Sequence, residues 1–185
     1  MRLSYIVDLL LGLQRSDDTI VQRVHTRRGS LGLLALDRTL LHSPAITDGW
    51  HTFFESIHSG TTLRNDLRRI AICRVALLNR ARYQWEGHAA ALEACEGFDK
   101  RRMNVVETMH PIDRGPLSLE QWAVLGYADA MTKNVVIDDV VFDALRRAGF
   151  SLKEIVELTA TIAAYNCVSR FLVALDVGEK NSVSW

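Results

Sequence analysis

An all-α fold follows from three features of the 185-residue sequence. The prolines, Pro44, Pro111 and Pro116, fall between apolar-periodic segments, so the long stretches between them keep every backbone N–H a helix needs. Apolar residues recur at three- and four-residue spacing, the period of an amphipathic helix. Ser118-Leu119-Glu120-Gln121 and Ser151-Leu152-Lys153-Glu154 both match the capping box, in which the first and fourth side chains satisfy each other's free backbone donors. These features predict a single-domain helical bundle over 1–185 with about seven to nine helices and neither a low-complexity linker nor a repeat of fixed period.

Taken in order, Leu9 to Leu13 is a short apolar run that follows Asp8 and reads as a core segment. It lacks the basic leader and alanine-rich cleavage site of a secretory signal and is too short to span a bilayer. Ser43-Pro44 is a helix start, with Ser as N-cap and Pro in the first turn. Ile46, Trp50, Phe53, Phe54 and Ile57 then form an aromatic-rich face that runs to Gly60. Leu67, Ile70, Ala71, Val75 and Leu78 continue the period. The segment Tyr83 to Cys95 adds His88, Ala91 and Leu92 before Gly97 stops it, which predicts two adjacent helices joined near Asn79 to Ala81. The helix opened by Ser118 carries Trp122, Leu125 and Gly126, and Asp138 to Gly149 places Val141, Phe142 and Leu145 on one face. Val135 to Val141 is too broken by Asp138 and Asp139 for a strand. The helix opened by Ser151 carries Ile155, Leu158, Thr159, Ile162, Ala163, Phe171 and Leu172 over about five to six turns.

Composition narrows the function classes. Hydrophobic residues make up 48% and charged residues 24%, an ordinary globular balance that excludes a disordered or collagen-like chain. Lys+Arg and Asp+Glu are both 22, so no cationic excess favours a phosphate backbone, and no nucleic-acid partner is expected. Cys73, Cys95 and Cys167 are odd in number and form neither a zinc spacing nor a C-x-x-C pair, which suits a reducing, cytoplasmic location. All three are read as buried small hydrophobes. No membrane association is expected.

The sharpest local feature is Tyr83-Gln84-Trp85-Glu86-Gly87-His88. Gln84 and Trp85 lie four and three residues before His88, so an amide, an indole and an imidazole share one helix face, as a small-molecule pocket requires. His88 can move a proton near neutral pH, or it can be a satisfied core or subunit-contact histidine; spacing leaves both open. Glu86 points elsewhere, as a solvated charge. Asn166 interrupts the apolar stripe of the last helix and needs partners, from backbone or from a ligand. His42 reads as closing a turn. His25, His51, His58 and His110 are unpaired with other ligand types, so no metal site is expected.

The frame Tyr83-x-Trp85-x-x-His88 and the later Ala164-Tyr165-Asn166-Cys167-Val168-Ser169-Arg170-Phe171-Leu172 resemble the carboxymuconolactone decarboxylase-like superfamily, which includes the alkyl-hydroperoxidase D proteins. The likeness begins around Leu41-His42-Ser43-Pro44 and Asp48-Gly49-Trp50 and is strongest over 67–92 and 151–175. It implies an all-helical fold and a homo-oligomer, trimer or hexamer. In the thiol-peroxidase branch a C-x-x-C pair and an upstream glutamate accompany the histidine; here Ala81, Gln84 and Arg69 stand at those positions, with His88 retained. Many relatives without the cysteines carry Glu where Gln84 and Arg69 stand. A peroxidase cycle needs one thiolate to be oxidised and a second to resolve it, so thiol peroxidase activity is excluded.

Arg69 replaces a proton acceptor by a fixed cation suited to a carboxylate, phenolate or enolate oxygen if it faces the pocket. Turned outward beside Arg68, it is a surface charge, and Arg74 on another face is then the inward one. Tyr83 can hydrogen-bond an oxyanion or simply pack. The resemblance therefore implies a cofactor-free decarboxylase or lactone/enol isomerase acting on a small oxygen-rich organic acid or ketone, a diverged member of the kind found in specialised metabolism. His88 is its general acid/base, and Arg69, Tyr83, Gln84, Trp85 and Asn166 bind substrate. The alternative is a non-catalytic oligomeric pseudoenzyme that binds a ligand in the same fold.

Overall fold

A computed structural model of the chain describes residues 2–6 and 18–183. The Leu9 to Leu13 segment lies outside the described residues. Among the described residues there are helices and no strands: α1 (Asp18–Arg28), a short 3-10 turn (Gly29–Leu31), α2 (Ala35–Leu40), α3 (Pro44–Ser59), α4 (Asn65–Leu78), α5 (Arg82–Glu93), α6 (Lys100–Glu107), α7 (Leu119–Lys133), α8 (Asp139–Arg147) and α9 (Leu152–Leu175). They group into two compact units, one within Met1–Gly60 and Leu175–Lys180 and the other within Thr61–Ala174 and Asn181–Trp185.

In the first unit α3 meets α1 and α2, and Val21, Val24, Leu33 and Leu41 form an apolar cluster with Ile6 against it. The buried side of α3 is not the aromatic stripe expected from its sequence. Thr47, His51 and Ile57 are buried, whereas Ile46 and Phe53 are exposed, and Trp50 and Phe54 stack on each other at 5.1 Å. The register follows from a charge. Asp37 on α2 is fully buried, receives a side-on fork from Arg28 (Nε to Oδ2 and Nη2 to Oδ1, both 2.7 Å), and accepts the Leu34 amide at 2.9 Å. His51 Nε2 lies 3.2 Å from Oδ1, an electrostatic contact and not an aligned hydrogen bond. A buried carboxylate demands such partners, and α3 turns its histidine inward to supply one. Ser43 holds the N-cap position of α3 without a side-chain hydrogen bond.

In the second unit α4 is apolar almost all round, with every residue from Ile70 to Leu77 buried, and it contacts α5, α6 and α7. A helix buried on all sides is a core helix. Its single fully buried charge is Arg74, whose five N–H donors each reach an acceptor. Nε and Nη2 grip Asp129 of α7 (2.7 and 2.6 Å), Nη1 donates to the Val106 and Thr108 carbonyls (both 2.7 Å), and Nη2 also donates to the Met109 carbonyl (3.2 Å). The bare carbonyls at the C-terminal end of α6 are thereby tied to α4 and α7.

Both expected capping boxes form: Ser118 with Gln121, and Ser151 with Glu154. The first of them opens α7 and the second α9. Burial of Ile155, Leu158, Ile162, Tyr165, Val168 and Leu172 gives α9 a core face, although by length and composition alone it is apolar enough to cross a membrane. Of the three cysteines expected to be buried, Cys73 is buried, Cys95 is half-buried and Cys167 is exposed. Cys167 departs because it sits on the solvent side of α9, one residue before buried Val168.

Two consequences are testable. Removing Asp129 leaves the fully buried Arg74 uncompensated, so Asp129→Leu is expected to lower the unfolding free energy in urea by about 3–5 kcal/mol, and Arg74→Met by less, since Asp129 is only partly buried and keeps Lys133 at 3.4 Å. Arg74→Lys should not rescue, since one ammonium cannot span five acceptors. Burial alone would raise the Asp37 carboxyl, but His51, the Arg28 fork and the Leu34 amide together hold it down to about 2, from 3.8. Its contribution is therefore complete above the unfolded value and disappears as pH falls through the folded one. At ~1.4 kcal/mol per tenfold change in proton affinity that is about 2 kcal/mol. Acid unfolding followed by circular dichroism should show this loss in the wild type between pH values of about 4 and 2, and not in Asp37→Asn.

Candidate functional site

The joint between α4 and α5 sets the site. Arg80 adopts a left-handed conformation (φ 53°), the Ala81 amide donates back to the Ala76 carbonyl at 2.8 Å, and the Arg80 amide donates to Leu77 at 3.1 Å. This is a Schellman-type ending with an arginine at the position glycine usually takes. It turns the chain so that α5 runs back along α4 and brings His88 to Arg69, nineteen residues earlier.

Arg69 is half-buried, and its Nη1 lies 3.5 Å from His88 Nδ1, long for a hydrogen bond. A guanidinium has only donors, so as a hydrogen bond this contact has Nδ1 accepting, which corresponds to the tautomer with the ring proton on Nε2. Tyr165 of α9, a buried residue, meets the His88 ring edge-on at 5.2 Å and 89°. The Arg69 Nε is buried without an acceptor, and among the described residues no carboxylate pairs with this side chain. Arg68 beside it bonds Asn65 Oδ1 at 3.1 Å; burial and then the Arg69 cation pull its guanidinium below the ordinary arginine range. Arg69 therefore turns inward, and so does Arg74. Only Arg69 has a donor to spare.

The remaining expected site residues divide by their bonds. Gln84 is buried, with its amide donating to the Ile72 carbonyl (3.2 Å) and accepting from Ser169 Oγ (3.0 Å), so it ties α5 to α4 and α9. Asn166 accepts from Asn79 Nδ2 (2.9 Å) and donates to Thr132 Oγ1 (3.2 Å) and the Ile162 carbonyl (3.1 Å), which joins α9 to α7 and to the end of α4. Tyr83 and Trp85 are half-buried on α5. Glu86 is exposed and pairs with Arg82 at 2.9 Å, one turn away. His42 was expected to close a turn; its Nε2 instead donates to the carbonyl of Ser4 (2.8 Å), 38 residues earlier. Tyr165 was legible only as an aromatic in the resemblance motif; nothing in its spacing pointed to His88.

Neither nearby thiol is poised for nucleophilic work. Burial pushes the Cys73 thiol up to about 12 against the pull of Arg69. Burial also raises Cys95, with Arg69 and Arg68 opposing it and Asn65 Nδ2 3.5 Å from its sulfur. Among the described residues no three His, Cys, Asp or Glu side chains converge as metal ligands would.

No family model and no curated protein matches the chain by sequence. Solved structures do. An AhpD-core, uncharacterized peroxidase-related protein from Ralstonia eutropha JMP134 is similar over 95% of this chain and 90% of its own, at 17% identity and a TM-score of 0.75. The chain has the AhpD fold. A peroxidase-related protein from Silicibacter sp. TM1040 shares that fold over 94% of this chain and 90% of its own, at 17% identity and a TM-score of 0.74. So does the debrominase Bmp8, in a cysteine-to-alanine variant bound to 2,3,4-tribromopyrrole, over 94% of this chain and 92% of its own, at 19% identity and a TM-score of 0.67. The AhpD fold was the expectation from the Tyr83-x-Trp85-x-x-His88 frame, and here it carries Arg69, Ala81 and Gln84 around the histidine.

Thiol exposure gives a direct check of this geometry. Under limiting iodoacetamide Cys167 should be alkylated first and Cys73 only on unfolding, as read by mass spectrometry of peptides.

Proposed function

We propose that Arg69 and His88 form a cofactor-free acid/base site for a small oxygen-rich organic acid or ketone, acting as a decarboxylase or as a lactone/enol isomerase. The observation that carries this reading is the Arg69 guanidinium at His88 Nδ1, with no carboxylate among the described residues paired to it. In a decarboxylation the bond to the carboxylate carbon breaks, its electron pair moves toward the neighbouring carbonyl, and CO2 leaves. The enolate then takes a proton at carbon. Nε2–H of His88 is the exchangeable proton, the guanidinium at Nδ1 steadies the ring as that proton departs, and solvent restores it. In an isomerisation solvent takes a proton from one carbon, Nε2–H of His88 delivers one to another, and solvent reprotonates the ring, with no loss of CO2. Tyr83 and Trp85, on the same helix, flank the substrate. Gln84 and Asn166 act at one remove, since their amides already hold helices together.

The raised thiols of Cys73 and Cys95 and the absence of a C-x-x-C pair argue against a thiol peroxidase. Free thiols suit a cytoplasmic setting, and a homo-oligomer that acts on neither nucleic acid nor membrane is part of the same proposal. The loss of both expected carboxylates, with Arg69 and Gln84 in their places, favours a second reading in which the protein binds its ligand without turnover.

A panel of β-keto acids and unsaturated lactones separates the two. Turnover in D2O, followed by CO2 release and by deuterium at the product carbon, is expected for the wild type. His88→Gln should lower kcat by about 10²–10⁴-fold while circular dichroism stays unchanged. Turnover unaffected by His88→Gln would overturn the catalytic reading. Saturable binding with no turnover would establish the second one.

A further inference from the structure

This inference rests on the Arg69–His88 reading and concerns how the ligand is held. Two arginines of this chain show what a satisfied guanidinium looks like here. Arg28 grips Asp37, and Arg74 grips Asp129, each through Nε and Nη2 on the two oxygens of one carboxylate at 2.6–2.7 Å. That edge presents two parallel N–H bonds whose spacing matches a carboxylate, the geometry that distinguishes arginine from lysine. Arg69 uses Nη1, the opposite corner, on His88. Its Nε is shut away from solvent with no acceptor, and no bond from Nη2 to the protein is seen. A buried donor left without an acceptor costs free energy, more when charged, and native structures carry few of them. Among the described residues no carboxylate makes an ion pair with it, and the one hydrogen-bond contact of its side chain is His88 Nδ1.

We propose that the Nε–Nη2 edge of Arg69 is a side-on receptor for a carboxylate, held there while the rest of the ligand reaches Nε2 of His88. The required ligand is then a carboxylic acid whose reacting carbon stands apart from the carboxylate that binds, and a neutral ketone or lactone lacking that group is a poor one. A carboxylate can come from a small molecule or from an acidic side chain of a second copy of this chain. We commit to the small molecule, because a side-chain carboxylate on Arg69 would leave His88 nothing to act on.

Benzoate and its neutral isostere benzamide test this with the full-length protein at constant ionic strength. The side-chain Nε–Hε resonance of Arg69, assigned through its loss in Arg69→Gln, should shift saturably with benzoate and not with benzamide. The same titration in His88→Gln should bind benzoate still, and Arg69→Lys should bind it about tenfold or more weakly. In low salt without carboxylate, Arg69→Met should melt at or above the wild-type temperature, and benzoate should raise the melting temperature of the wild type and not of Arg69→Met.

Equal shifts with benzamide, with chloride or with sulfate would overturn the proposal, as would unchanged benzoate affinity in Arg69→Gln or an Arg69→Met protein that melts well below the wild type. An Arg69 signal that changes with protein concentration and resists benzoate would overturn it in favour of a second copy's carboxylate. Benzoate binding together with no turnover of any acid or ketone leaves the receptor standing and removes the catalytic reading. His88-dependent turnover with benzoate affinity indifferent to Arg69 does the reverse.

Discussion

A guanidinium taken out of water costs free energy for every donor that finds no acceptor, and that constraint organises the second unit. Arg74 meets it completely, with five donors on five acceptors drawn from α7 and from the C-terminal end of α6. Arg69 lies five residues earlier on the same helix, about 140° away around its axis. There the helix carries a second, half-buried cation, whose one hydrogen-bond contact among the described residues is an imidazole nitrogen at 3.5 Å. One arginine holds the helices together. The other is left with an unspent donor, which is why the site is read from it.

The frame around that donor is stiff. The left-handed Arg80 turn folds α5 back on α4, the Gln84 amide links Ile72 to Ser169, and Asn166 links Asn79 to Thr132. Each bond joins different helices, so the separation of Arg69, His88 and Tyr165 is fixed by polar contacts as well as by apolar packing. Gln84 and Asn166 were expected at the substrate and are instead occupied by the protein itself, which makes them supports for the site. A preorganised pair of this kind needs little rearrangement as charge develops on a ligand.

Much of the fold was legible because it rests on local rules. The boxes at Ser118 and Ser151, the break at Asn79 to Ala81 and the absence of a strand at Val135 to Val141 depend on neighbours in sequence. The inward side of α3 was not legible. Its aromatic stripe looked like a core face, but the buried Asp37 draws His51 inward and leaves Phe53 and Ile46 in solvent. Nothing local to α3 announces a carboxylate on α2. The same reason applies to the site: His88 could be named from its frame and Arg69 from its departure, whereas the direction of the guanidinium, the partners of Gln84 and the ring of Tyr165 depend on residues up to 87 positions apart, as with Asn79 and Asn166. Cys167, placed with the buried thiols by composition, is exposed because helical phase and not residue type decides it.

The central claim is that Arg69 fixes His88 with its proton on Nε2. Long-range ¹H–¹⁵N correlation of the histidine ring at neutral pH reads this directly. The account predicts a His88 ring whose Nδ1 shows the shift of an unprotonated nitrogen and whose Nε2 shows that of a protonated one, with the preference weakened in Arg69→Leu. A proton on Nδ1, or a tautomer indifferent to Arg69, would contradict it.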